Sequence, residues 1–572
     1  MPRMALASSS YEVQIYQADH WVLDCSFETE AEARAYGKRI LSGGKIEGIR
    51  VVRDWARPDG RHVETEVHQE FRSVSNAIVI APIDEPPPFC HTAEQCFAVE
   101  GRMVMNRLLR NYVERAVVTP TELLHNYTEL KRLLDKDNLV PTAVGRIASM
   151  QAERSGLDGR ERRDELYGFL HGMTDRARIA SNRKDLPALG ASGFRPAFEA
   201  LGARETPENR DFLARVILSR ELVQMRNWLA KLDFLGELVR QDGGLTDTPL
   251  LLVDGVIADV LGAPSVAQEL LGLQGSLAEA LCNLIDLSRG RLDVTRRAED
   301  DRAVHLNELL AFHDLDETRL VVVDLVRRQL RSTQPLYRAD PKRERDAFNE
   351  ILKRVTTPDG IVGGGAMAEA LVLRYLRFLE GGGAIGRRRA MEEVAGLYPD
   401  AKEGLRFLMA LSQSEMARNH GDDIDRLLDT LTGDPRAFGR FVDRTQPIKI
   451  NLELFTRLYA QVRDSNVPEP LKSRLADNID SLLVSYIHDC KVVERLDNPD
   501  DLLRHRANRL MQLCTPGTLQ SRKALTIVRE RVVSHLRQPQ FEQKYVEDLT
   551  DPILRQNALR EFYRLLGQAG LT

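Results

Sequence analysis

Cysteine is scarce in this chain: Cys25, Cys90, Cys96, Cys282, Cys490 and Cys514 are the only six in 572 residues. That is too sparse for the disulfide framework on which small exported domains depend, so a reducing cytoplasm is the expected compartment. Long apolar runs are missing too. No stretch reaches the roughly 18 residues needed to span a bilayer, and the opening MPRMALASSSYEV lacks the apolar core of a signal peptide. The expectation is a chain with no transmembrane segment. An excess of one charge is also absent: 80 basic and 85 acidic residues are interspersed, for a net charge of −5. That pattern gives no clear nucleic-acid footprint. Aromatic residues make up only 6%.

What is abundant is Leu, Ala, Arg and Glu, whose side chains lose little rotamer freedom in a helix. Hydrophobic residues at 43% and charged residues at 29% suffice for a packed core. At roughly 100–200 residues per domain, the length allows about three to five units.

The first 80 residues read differently from the rest. YEVQIYQ alternates as a strand does, and WVLDCSF follows as a second. Thr29 opens the helix ETEAEARAYGKRIL, and the glycines of LSGGK end it. IRVVRDWA is a third strand, and ARPDGRH is a turn built on Pro58 and Gly60. HVETEVHQEF alternates again, with Val63, Val67 and Phe71 on one side and Glu64, Glu66 and Glu70 on the other. The expected head is ββαββ, a helix on a small antiparallel sheet.

Residues 81–90 carry Pro82 and Pro86–Pro88, which have no amide hydrogen to donate, and read as a semi-rigid extended linker. Helical spacing dominates beyond it. Leu218, Leu222, Met225, Leu229 and Leu232 form one stripe of a long helix. Asp551 caps and Pro552 starts a final helix with Leu554, Ala558 and Leu565 on one side. Breakers such as LGAPS, TTPDG, TGDP and DNPDD recur, and no fixed repeat links them. The expected fold is mainly α: an irregular multi-helix array, solenoid-like or bundled, after a small N-terminal α/β domain. Its expected divisions are 1–80, 81–90, 91–340 and 341–572.

One stretch, GIVGGGAMAEALVLRYLRFLEGGGAIGRRR, invites a chemical reading. Gly363, Gly364 and Gly365 would leave amides open at a helix start, where the helix dipole attracts anions, and Arg387, Arg388 and Arg389 could add counter-charge. No Lys-Ser or Lys-Thr pair completes a phosphate loop. The structural alternative is a buried helix, with Met367, Leu371, Tyr375 and Phe378 as its stripe, that turns tightly at both ends and leaves its arginines in water. That alternative is preferred.

Other candidates carry less. Cys90, His91, Cys96 and the distant His125 are zinc-type ligands without paired spacing, and if Thr92 opens a helix then Cys96 is core. His420, Asp422, Asp423 and Asp425 resemble a magnesium cluster, but Asp residues in a first helical turn are what the helix dipole favours, and that structural reading is preferred. No GxSxG, HExxH or CxxC motif accompanies the remaining histidines. The basic amphipathic run Leu519–Arg537 would allow peripheral membrane contact, although such a helix more often packs its stripe inward. No catalytic residue, metal or cofactor is therefore expected. The expected function is that of a cytoplasmic, non-enzymatic scaffold or regulatory adaptor that binds protein partners in helical grooves. The alternative is a helical phosphate or nucleotide sensor, or an enzyme, built on Gly363–Gly365 and Arg387–Arg389.

Overall fold

The computed structural model describes residues 9–17, 20–42, 46–56, 62–71, 78–83, 85–136, 138–189, 193–202, 205–241, 245–295, 297–298, 301–338, 340–379, 382–515, 519 and 522–571. The expected turn at Pro58 and Gly60, the glycines Gly43 and Gly44, and Glu380 lie outside them. The chain is mainly helical, with a small sheet at its N-terminal end, and divides into two compact units, Met1–Val326 and Arg327–Thr572.

Strands β1 (Ser9–Gln17), β2 (His20–Phe27), β3 (Gly48–Ala56) and β4 (His62–Phe71) form one antiparallel sheet in the order β2-β1-β3-β4. The helix Glu30–Ser42 runs between β2 and β3, and Thr29 Oγ1 accepts the amide of Glu32 at its start. This is the expected ββαββ head. Its core is the helix face against one face of the sheet: Val13, Ala33 and Val51 are fully buried, and Leu41, Ile46 and Ile49 form a second cluster. Burying a Val or Ile side chain contributes roughly 1.5–3 kcal/mol.

Strand β4 departs from simple alternation. Its register with β3 shifts between Val51 and Val52, which marks a bulge. Val67 therefore packs on the Val13 cluster, while the Phe71 ring lies against Tyr16 and Trp21. Glu64, expected on the outer side, is half-buried instead, and its carboxylate accepts the backbone amide of Arg226 at 3.2 Å.

The second face of the sheet is covered by helices of the same unit. Arg50, 1% exposed, donates to Gln14 Oε1 at 2.7 Å and to the Arg226 carbonyl at 2.6 Å, and stacks on Trp21. Trp21 Nε1 donates to the Arg115 carbonyl, and the Glu64 amide donates to the Gln224 carbonyl. These contacts explain a correction to the helical reading. The stripe from Leu218 to Leu232 belongs to two helices, Pro207–Leu222 and Trp228–Arg240, not to one. Between them, Gln224 and Arg226 turn backbone groups towards the sheet. Asn227 then restarts the helix by accepting the Ala230 amide.

The proline-rich segment is fastened along its length. The Ala81 amide donates to the Leu108 carbonyl, Ile83 and Pro87 are buried, and the Pro88 carbonyl accepts from Gln151 Nε2 at 2.6 Å. The helix Asp247–Leu261 is apolar nearly all round and almost wholly buried, as the central element of a helical core must be.

In Arg327–Thr572 the helices Gly364–Tyr375 and Ala401–Leu411 form the interior, with Met367, Leu371, Val372, Leu405, Phe407 and Leu411 at 0% exposure. The first of these stops at Tyr375, a turn earlier than the apolar pattern suggested, and passes into the 3-10 turn Leu376–Phe378. Among the described residues no single helix is long and apolar enough to cross a membrane.

Candidate functional site

The first glycine run of the glycine-flanked helix has a backbone role at each position. Gly363 (φ 80°) and Gly364 (φ 57°) take the left-handed conformation at the start of Gly364–Tyr375, which a Cβ would penalise. At Gly365 a Cβ would lie 2.7 Å from the Ala410 carbonyl oxygen and 2.9 Å from the Gln413 carbonyl carbon, so two backbones touch there. Arg387, Arg388 and Arg389 are exposed on the helix Gly383–Gly396. Arg388 Nε lies 3.2 Å from Glu392 and 3.7 Å from Asp423, and Arg389 Nε lies 2.9 Å from Glu393. The partners of Arg388 and Arg389 are thus carboxylates of their own helix and of Ala417–Thr432. Gly381, Gly383 and Gly386 also fit the GxGxxG spacing by count. A dinucleotide loop follows a strand, whereas here a 3-10 turn precedes.

The sequence-derived metal candidates disperse. His420 sits at a kink and its Nδ1 is 3.3 Å from Asp423, Asp423 also faces Arg388 and Arg426, and Asp425 pairs with Arg474. His125 is buried between Phe97 and Phe212, its Nδ1 2.8 Å from the Thr121 carbonyl, and burial holds its imidazole well below its usual pKa. Among the described residues no three His, Cys, Asp or Glu side chains converge to hold a metal. The basic helix Arg522–Leu536 turns Val528 and Val532 inward.

Two buried ion pairs have the look of reactive groups. Lys231 Nζ donates to the Val117 carbonyl and to both Glu122 oxygens at 2.6–2.7 Å, with both side chains at 0% exposure. All three ammonium protons are used, which identifies a structural lock. Arg102 likewise joins Asp259 and Glu317, and Asp259 accepts both the amide and the hydroxyl of Thr121.

A different cluster stands where zinc spacing failed. Thr92 precedes only one helical turn, Ala93–Cys96, and Cys96 is half-buried, not core. The Cys96 thiol donates to the Thr92 carbonyl oxygen at 3.9 Å. Arg162, 1% exposed on the helix Gly159–Ser181, reaches across to Cys90: Nη2 lies 2.6 Å from the Cys90 carbonyl oxygen and 3.2 Å from Cys90 Sγ. Gln151 fixes Arg162 Nε at 2.8 Å, Glu165 pairs with Nη1 at 2.5 Å, and the Phe89 ring lies 3.9 Å from the guanidinium carbon. The neighbouring Cys96 thiol, together with the charge of Arg162, draws the Cys90 thiol below its usual pKa despite burial. Cys96 is pushed the other way by the Cys90 thiol and by burial. Sequence alone offered the cysteines but not the arginine, 66 to 72 residues away.

The last helix, Pro552–Gln568, begins as expected, with Asp551 accepting the Ile553 amide at 2.8 Å. Its stripe runs through Leu554, Ala558, Phe562, Leu565, Leu566 and Ala569 at helical spacing. The C-terminal half is covered: Phe562 and Leu566 are buried, with Phe562 against Phe541 and Tyr545. The N-terminal half is bare, with Ile553 68% and Leu554 52% exposed. Arg555 and Arg560 flank the bare half on opposite sides. No family model matches the chain, and no curated protein or solved structure shows significant similarity to it.

Proposed function

We propose that this protein works by contact with other proteins, as a scaffold or regulatory adaptor, and that the helix Pro552–Gln568 is a recognition element. One observation carries the reading: a continuous apolar stripe whose second half is packed and whose first turn, at Leu554, lies open. Covering it removes apolar surface from water, which favours association. The flanking Arg555 and Arg560 favour a partner with acidic edges beside an apolar strip, as an amphipathic helix provides.

The test is affinity capture of the full chain from its native cell beside a Leu554→Glu variant. Leu554 is more than half exposed, so the variant folds as well as the parent, which circular dichroism checks. A stoichiometric protein partner present with the parent and depleted with the variant supports the reading. Identical capture with both, or no stoichiometric partner with either, contradicts it.

A further inference from the structure

We infer that the outer edge of strand β2 docks a short extended peptide of a partner protein, which joins the sheet as a further strand. The two edges of this sheet are treated differently. On β4 the Glu64 amide donates to the Gln224 carbonyl, and the Val67 carbonyl accepts from Arg34 Nη2 at 2.6 Å. Strand β2 is the opposite edge in the order β2-β1-β3-β4. From Trp21 to Phe27 its backbone has no hydrogen-bond partner besides β1 among the described residues. Proteins ordinarily blunt such an edge with lysine or proline, and HWVLDCSF holds neither. Instead Val22 and Leu23 stand on it 41% and 53% exposed.

The edge itself defines what covers it. A row of free amides and carbonyls is matched by another extended backbone, and alternate side chains of that backbone fall on opposite faces. Val22 lies opposite Ile15 and shares the face that carries the helix, whereas Leu23 lies opposite Gln14 and shares the face of Arg50. A peptide with two consecutive apolar residues therefore covers both, one on each face. The pairing of β2 with β1 shifts at Asp24, whose carboxylate accepts from the Tyr36 hydroxyl at 2.7 Å. That bulge interrupts the edge and disfavours continued strand addition. The stretch Trp21–Phe27 is also far shorter than the roughly 20–30 residues per side of a standard interface between folded proteins. The occupant is thus a short peptide and not a second copy of the chain. This edge belongs to Met1–Val326 and the last helix to Arg327–Thr572, so the two surfaces are tested separately.

The experiment selects short peptides from a random phage-displayed library on the full chain and measures their binding by fluorescence anisotropy. Selected peptides should carry two consecutive apolar residues and should bind Val22→Lys and Leu23→Lys at least about ten-fold more weakly than the parent. Both positions are exposed, so the variants fold, which circular dichroism checks. Methylating peptide backbone nitrogens one at a time should abolish binding at alternate residues, those that face β2, and spare the residues between. Docking by side chains alone shows no such alternation. Amide exchange over residues 21–27 should slow when the peptide is bound. The inference is overturned if no peptide is selected, if both lysine variants bind as tightly as the parent, or if methylation shows no alternation. Dimerisation of the parent that either lysine variant abolishes would also overturn it, by assigning the edge to a second copy.

Discussion

Replacing Lys231 with methionine keeps the volume and the apolar stem but removes the charge that Glu122 faces. Glu122 then remains a carboxylate at 0% exposure, keeping only the amide of Thr119 at 2.8 Å and losing two contacts of 2.6–2.7 Å. The Val117 carbonyl loses its donor as well. Breaking one side of a buried ion pair costs about 3–5 kcal/mol, because an uncompensated charge stays out of water. Against a typical stability of about 5–15 kcal/mol this is a large fraction. Removing both charges, as in Lys231→Met with Glu122→Gln, should recover most of the loss, since well-packed neutral groups replace buried pairs at little cost. Urea denaturation followed by tryptophan fluorescence is a suitable assay. Trp21, Trp55 and Trp228 all lie in Met1–Val326, and Trp228 is 5.6 Å from Lys231 Nζ, so the signal reports that unit. A single variant as stable as the parent, or a double variant as unstable as the single, would refute the lock.

Other substitutions probe other parts of the molecule. Desolvation raises the Asp254 carboxyl to about 6 while it caps the amides of Glu317 and Thr318. The folded state therefore binds its proton more tightly than the unfolded state. Stability should fall by about 3 kcal/mol as pH rises from about 4 to 6, and Asp254→Asn should flatten that slope in denaturation curves. Gly365→Ala should cost more than about 2 kcal/mol, because the new Cβ meets the Ala410 carbonyl, whereas Gly172→Ala meets nothing within 4 Å and should gain roughly 0.5–1 kcal/mol; thermal melts separate the two. Arg388→Ala breaks only exposed pairs and should change stability by less than about 1 kcal/mol in the same melts.

The parts of this fold legible in the sequence are those where local chemistry decides. Thr29 and Asp551 start helices because their oxygens satisfy free amides nearby, and the ββαββ order follows from alternation and turn residues. Illegible parts are those settled by distant groups. The Leu218–Leu232 stripe hid a helix break because sheet residues take up the backbone groups of Gln224 and Arg226. Glu64 read as a surface charge because its partner, the Arg226 amide, is 162 residues away. The thiol cluster stayed hidden for the same reason: Cys90 and Cys96 were judged by ligand spacing, and the side chain that changes their chemistry, Arg162, sits on another helix. The terminal stripe was visible in sequence, but that only half of it is covered depends on where Phe541 and Tyr545 fall.

Protein recognition through the last helix is tested most directly by amide hydrogen exchange of the full chain, alone and with the captured partner. The account predicts slowed exchange over residues 552–561, the open half of that helix, when the partner is bound. Protection elsewhere with exchange over 552–561 unchanged would contradict it.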